Sequence, residues 1–189
     1  FIGSGVRYDL SMHHTGDPAV DAANRRYNEE LILNHVSGRL KVAPEHTEDS
    51  VLEVMRKPSF QFFYDFKRIF DRVNARYGLR QQLIPYFISS HPGCHETDMA
   101  ELAIKTRELD FHLEQVQDFT PTPMTVATEI YYSGYHPYTG ERIFTALTPA
   151  EKLAQRQYFF WYDRTYRASI TASLRRLNRP DLLRRLFPR

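Results

Sequence analysis

Residues 39–58, RLKVAPEHTEDSVLEVMRKP, constrain the fold more than any other stretch of this chain. An apolar, strand-like run from Leu40 to Ala43 stops at Pro44. Glu45, His46 and Thr47 follow at once, and a helical pattern through Val51, Leu52 and Met55 runs on until Pro58 ends it. Strand, polar turn and helix make up the repeating unit of parallel α/β sheets and barrels. In those folds the loop after a strand's carboxyl end carries the chemistry.

The same order recurs. Residues 1–5 read as a short strand and 6–16 as its loop. Asp17 is a good N-cap, and Pro18 sits at the first helical position. Ala19, Ala23, Tyr27, Leu31 and His35 recur at helical spacing, which predicts a helix over 18–35. The second strand is 39–43, and Thr47 caps the short helix after it. Ser59 caps a longer helix with Phe62, Phe63, Phe66, Ile69, Phe70 and Val73 on its inner face and Gly78 just past its end. The third strand is 83–88, with the loop 89–95. A helix then spans 97–109, with Met99, Leu102, Ala103 and Leu109 inward. The fourth strand is 113–119, running into the Pro-rich loop 120–124.

Four β-loop-α units argue for parallel strands with helices packed outside and right-handed crossovers. Four strands at normal tilt do not close a barrel, so the units form either an open sheet or part of a barrel. Residues 1–127 hold these units. Residues 128–147, rich in Tyr, His, Gly and Pro, read as an irregular connector. Residues 148–189 read as a helical extension, with helices over 150–163 and 166–177 and a last turn starting at Pro180. From 164 onward this extension carries eight arginines against one acidic residue, Asp181.

The chain has 189 residues, enough for a sizeable core, and its 42% hydrophobic content is that of a folded protein. A net charge of +2 favours no particular partner. No apolar run reaches the roughly 18 residues that span a bilayer, so no membrane partner is expected. The single cysteine, Cys94, excludes an internal disulfide framework and suits a reducing, cytoplasmic setting. The opening at Phe1-Ile2-Gly3, without lead-in or Met, reads as a piece of a longer protein.

With a parallel sheet, the loops 4–7, 44–47, 89–95 and 120–124 share one edge. They bring Arg7, Asp9, Glu45, His46, Ser89, Ser90, His91, Cys94 and His95 there, a set that suits a charged or polar ligand. A carboxylate such as Glu45 accepts hydrogen bonds from a ribose or an amine; it also serves to cap the following helix or pair with an arginine. His91, Cys94 and His95 are ligand types that suit zinc, but their spacing matches no standard module, and a turn with a helix cap explains them better. Gly3-Ser4-Gly5 is no phosphate loop and no GxSxG is present; Cys94 has histidines nearby in sequence, but adjacency in sequence does not make a catalytic pair. The arginines of the tail either neutralise phosphates of a nucleic acid or form a solvated helix face.

GSGVRYDL, LKVAPEHTEDSVLEVMRKP, LIPYFISSHPGCHETDM and QVQDFTPTPMTVAT, in that order, resemble the YgiQ-type radical S-adenosylmethionine (radical SAM) proteins. The resemblance implies a partial, TIM-like (β/α)6 barrel that binds a [4Fe–4S] cluster and S-adenosylmethionine. Reductive cleavage of that cofactor yields a 5′-deoxyadenosyl radical that abstracts hydrogen from a substrate. The four strands would then be the third to sixth of the barrel. The resemblance places Glu45 against the cofactor's polar groups, with Ser4 and Arg7 from strand three, Ser89 and His91 from strand five, and Gln117 from strand six. The family's cluster-binding CxxxCxxC is absent, and a cluster needs several cysteine ligands. The chain alone is therefore expected to retain neither cluster nor cofactor and to be inactive, its partner being the missing amino-terminal part of the same protein. The exposed edge of its first strand invites oligomerisation. The alternative is a non-catalytic interaction or RNA-binding module that uses the arginine-rich tail.

Overall fold

The computed structural model describes residues 1–3 and 5–188. In chain order it contains α1 (Tyr8–Met12), α2 (Pro18–His35), β1 (Arg39–Glu45), α3 (Asp49–Val54), α4 (Gln61–Tyr77) and β2 (Gln82–Ser89). Next come α5 (Glu96–Glu108), β3 (Gln115–Asp118), α6 (Val126–Ser133) and α7 (Pro149–Arg156). A 3-10 turn over Gln157–Phe160, α8 (Arg164–Arg176) and α9 (Pro180–Leu186) complete it. The strands form one small parallel sheet in the order β1-β2-β3.

The described residues thus hold three strands where the sequence predicts four. The expected strand over 1–5 is reduced to one parallel bridge, Val6 to Val42. The Val6 N–H donates to the Lys41 carbonyl at 3.3 Å, and the Ile2 N–H donates to His35 at 2.9 Å. The reason is physical: Gly3 and Gly5 have no side chains to bury, and Phe1 is 89% exposed. Ser4 lies outside the described residues.

The chain divides into two compact units, the first being Phe1–Glu45 with Pro58–Tyr86. Asp17 caps α2 as expected, accepting from the Ala19 and Val20 amides, with Pro18 at the first position. The buried face of α2 is Asn28, Leu31 and Ile32, whereas Tyr27 is 51% exposed. A search for apolar periodicity passes over Asn28, which is buried because Ser11 Oγ donates to its Oδ1 at 2.7 Å. On α4, Phe63, Phe66, Phe70 and Val73 are buried, while Phe62 and Ile69 are only half-buried. Tyr8, from a helix that the sequence reads as loop, stacks on Phe66 with ring centres 5.4 Å apart and meets Phe63 edge-on. Gly78 ends α4 in the left-handed conformation (φ 64°), where a Cβ is disfavoured.

The second unit is His46–Lys57 with Phe87–Arg189. Its centre is α5, where Met99, Ala100, Leu102, Ala103 and Ile104 are all buried. The small residues of this face admit the tail, so that α9 and the 3-10 turn pack against α5. Tyr158, Phe159, Ile170, Leu174, Leu182 and Leu186 carry the tail's side of that core. At roughly 1.5–3 kcal/mol for each fully buried large apolar side chain, this burial is what holds the tail in place. Ion pairs frame it: Arg176 to Glu96 at 2.9 Å and Arg185 to Glu101 at 2.8 Å. Residues 126–133 form α6, capped by the Thr125 side chain, ahead of an antiparallel bridge between Tyr135 and Arg142. Among the described residues no helix is long and apolar enough to cross a membrane.

Candidate functional site

In the first unit, β1 runs through Pro44 and ends at Glu45, whose φ of 68° turns the chain. Proline removes one backbone donor but keeps φ compatible with an extended run, so Glu45 and not Pro44 is the stop. The half-buried Glu45 carboxylate lies within electrostatic reach of two phenols. The Tyr86 hydroxyl is raised by burial first and by Glu45 second; that of Tyr8 is raised by burial, Asp9 and Glu45. Arg7 is held by Asp9 through two hydrogen bonds of 2.8 and 2.6 Å, and its side chain is largely exposed.

In the second unit the end of β2 is tied to the end of β3. Ser89 Oγ donates to Asp118 Oδ1 at 2.5 Å, and Asp118 Oδ2 accepts from Arg156 Nη1 at 3.1 Å. The Phe119 N–H donates to the Ser89 carbonyl at 2.8 Å. Ser90 follows at φ 60°, with its Oγ buried and without a hydrogen-bond partner among the described residues. Its N–H donates to Gln155 Oε1 at 2.8 Å, while Gln155 Nε2 donates to the Cys94 carbonyl at 2.7 Å. Gly93 (φ 84°) donates its N–H to the Phe144 carbonyl at 2.8 Å, and a Cβ there would lie 3.0 Å from Val54 Cγ2.

Two histidines of this loop region are buried and neutral. His91 Nδ1 is 2.8 Å from the Pro92 carbonyl, which can only accept, so the proton sits on Nδ1 and Nε2 keeps a lone pair. Burial lowers the pKa of His91 to about 4, and its ring meets Phe119 edge-on. His46 Nδ1 accepts from the Glu48 N–H at 3.1 Å, which leaves Nε2 as the donor facing Cys94 Sγ at 3.5 Å. Burial, aided by His91 and Lys105, lowers the pKa of His46 to about 3. Burial also pushes the Cys94 thiol well up, so this cysteine–histidine contact holds a protonated thiol and not a nucleophile. His95 caps α5, its N–H donating to Asp98 Oδ2 at 2.7 Å, and the turn-with-cap reading describes residues 91–95.

Of the residues singled out in the sequence, Ser89 and His91 come together with the end of β3. Gln117 is exposed and lies 3.5 Å from Thr120 Oγ1. Arg7 and Glu45 belong to the other unit. Asp118, Phe144, Gln155 and Arg156 were not singled out. Asp118 carries a positional signal, as an acid at a strand end, whereas Gln155 reads as an ordinary helical glutamine.

Among the described residues, no three His, Cys, Asp or Glu side chains gather to hold a metal ion. A [4Fe–4S] cluster does not fit the residues present: the one thiol is fully buried, protonated and occupied by His46. Among the described residues, four of the tail's arginines are engaged within their own unit. Arg176, Arg179 and Arg185 pair with Glu96, Asp181 and Glu101, and Arg167 lies over the Phe187 ring.

Residues 114–184 match a family described as a domain of unknown function, DUF3362. A UPF0313 protein of Bacteroides thetaiotaomicron is 66% identical over 187 residues, covering 99% of this chain and 30% of that protein. One from Porphyromonas gingivalis is 60% identical over 189 residues, 100% of this chain and 30% of its own. One from Methanocella arvoryzae is 40% identical over 188 residues, covering 97% and 29%. The chain therefore spans about 30% of the length of these curated relatives. No solved structure matches. From end to end the chain is similar to one segment of the UPF0313 proteins, and residues 114–184 match DUF3362.

Proposed function

We propose that this chain forms the later strands, three to six, of a partial radical S-adenosylmethionine barrel, with the Val6 segment standing for strand three, and that its strand ends contact the cofactor. The observation that carries this reading is backbone strain at two successive strand ends. Glu45, which ends β1, and Ser90, which follows β2, both lie in the left-handed region, at φ 68° and 60°. Each costs about 1–3 kcal/mol, and such residues persist where a site needs the geometry. Here the turn presents an acceptor-only carboxylate in the first unit and a buried serine hydroxyl without a partner in the second. Ribose hydroxyls and an ammonium group suit the carboxylate. The resemblance of four ordered segments to the YgiQ-type proteins, and homology to UPF0313 proteins about three times as long, support the same reading.

The iron–sulfur cluster, on thiolates outside these residues, would supply the electron for cofactor cleavage. What this chain contributes is orientation: in the first unit Glu45 accepts hydrogen bonds from the ligand, and in the second unit the Ser89–Asp118–Arg156 chain fixes the end of β2. The RNA-binding alternative draws less support, since among the described residues the engaged arginines leave Arg164, Arg175 and Arg184 to meet phosphates.

The test is S-adenosylmethionine binding by the full-length protein with its cluster reconstituted. Glu45→Gln keeps the shape and removes the charge, and should weaken binding by about tenfold or more, the usual loss for a charge-assisted hydrogen bond. Unchanged affinity, or no binding by the unaltered protein, overturns the reading.

A further inference from the structure

We propose that Gln155, on α7 within the DUF3362 segment, is a positioning residue that sets the geometry of the β2 loop through both ends of its backbone. The loop 90–94 is buried and irregular, so its polar groups cannot turn to water and must find partners inside the protein. Its first residue, Ser90, is fully buried at φ 60°, and near its end Gly93 sits at φ 84°. The first is a conformation that a residue with a side chain rarely adopts, and the second is one that glycine alone takes freely. The two groups that open and close the loop, the Ser90 N–H and the Cys94 carbonyl, are taken by one side chain, at 2.8 and 2.7 Å.

An amide is the group this geometry needs. It accepts at one atom and donates at the other on a rigid plane, and it carries no charge into a site where Gln155 is 2% exposed. Between those two hydrogen bonds the loop carries the Ser90 hydroxyl and the His91 ring, which are thereby held in register. The next residue, Arg156, holds Asp118, and Asp118 holds Ser89 Oγ. Two consecutive residues of α7 thus reach the ends of both β2 and β3. DUF3362 is on this account the brace of the strand-end site and not a separate module hung behind it. The proposal concerns the geometry of the loop; its effect on ligand binding rests on the cofactor reading above.

The experiment compares the unaltered full-length protein with Gln155→Leu, which keeps the bulk and removes both hydrogen bonds. Amide hydrogen exchange across 87–98 and S-adenosylmethionine affinity are measured on each. The reference is Ser169→Ala, which perturbs the exposed face of α8, where the Ser169 hydroxyl donates to the Tyr166 carbonyl. Gln155→Leu should speed exchange of the 90–94 amides at least tenfold while α8 stays protected, and should weaken cofactor binding by about tenfold. Ser169→Ala should do neither. If exchange in 90–94 is unchanged in Gln155→Leu, or if Ser169→Ala loosens the loop equally, the positioning role is overturned. If the loop loosens as expected but the unaltered protein does not bind S-adenosylmethionine, the brace stands and the cofactor reading falls. Should Gln155→Leu not fold, Gln155→Glu keeps the acceptor for Ser90 and loses the donor for Cys94. It should accelerate exchange at the carboxyl end of the loop more than at Ser90, and equal exchange at both ends overturns the proposal.

Discussion

The loops after β2 and β3 hold equivalent places, each at the carboxyl end of a parallel strand, yet they are built in opposite ways. The β2 loop is buried and held by groups distant in sequence: Gln155 at both ends, Phe144 on Gly93 and His46 on Cys94. The β3 loop is held by its own threonines. Thr122 O accepts from the Thr125 and Thr128 hydroxyls, and Met124 projects fully into solvent. Both contain non-glycine residues at positive φ, Ser90 and Met124. The difference teaches that topology sets where a loop sits, and later segments of chain decide whether it is rigid. Only the loop that the tail covers can hold a fixed arrangement of neutral, buried polar groups.

Acid should separate the two loops most strongly. His46 and His91 stay neutral when folded down to about 3 and about 4, whereas in the unfolded chain histidine titrates near 6.5. Below pH 6.5 the unfolded state therefore binds protons that the native state refuses, and stability falls as pH falls. The slope approaches about 1.4 kcal/mol per pH unit for each histidine well below pH 6.5. Together they should remove roughly 3 kcal/mol between pH 6.5 and 5. Urea unfolding at pH 7, 6 and 5 measures this, and a flat profile would show that the histidines are not buried as neutral groups. Amide exchange should rise first across residues 46–48 and 90–94, with 120–124 unaffected.

A smaller effect comes from adding one methyl group to the braced loop. Gly93→Ala places a Cβ in the left-handed region and 3.0 Å from Val54 Cγ2, on a side chain branched too close to its backbone to swing away. The expected loss is about 3 kcal/mol, from strain and overpacking together. A loss below about 0.5 kcal/mol, the scatter of ordinary surface substitutions, would mean the loop yields freely and is not braced.

The smallest effect should have the opposite sign. Met124→Gly removes a fully exposed side chain at φ 66°, so it relieves strain without giving up a contact. Added freedom in the unfolded chain offsets part of that relief, leaving a gain of about 0.5 kcal/mol. Destabilisation by more than about 1 kcal/mol would show that the β3 loop is packed after all.

The parts of this fold that local chemistry dictates could be read from the sequence. Asp17-Pro18 starts α2 and Gly78 stops α4 because capping and left-handed geometry are set within a few residues. The phenylalanines of α4 mark its buried face for the same reason. What escaped depends on distant partners. Asn28 faces inward because Ser11 meets it, and α1 forms where Tyr8 can pack on Phe63 and Phe66. Glu45, Ser89 and His91 stood out by position after a strand. Gln155 did not, because its role is created by a loop some 60 residues earlier, and no spacing within α7 reports it.

The Cys94 sulfur, the only thiol in these 189 residues, sits fully buried between the His46 ring and the loop that Gln155 closes. No reagent can reach it while that loop is shut. Its rate of alkylation, divided by the known rate for an exposed thiol, therefore reports the fraction of time that loop stands open. A single sulfur thus gives this unit a built-in gauge of its own local opening.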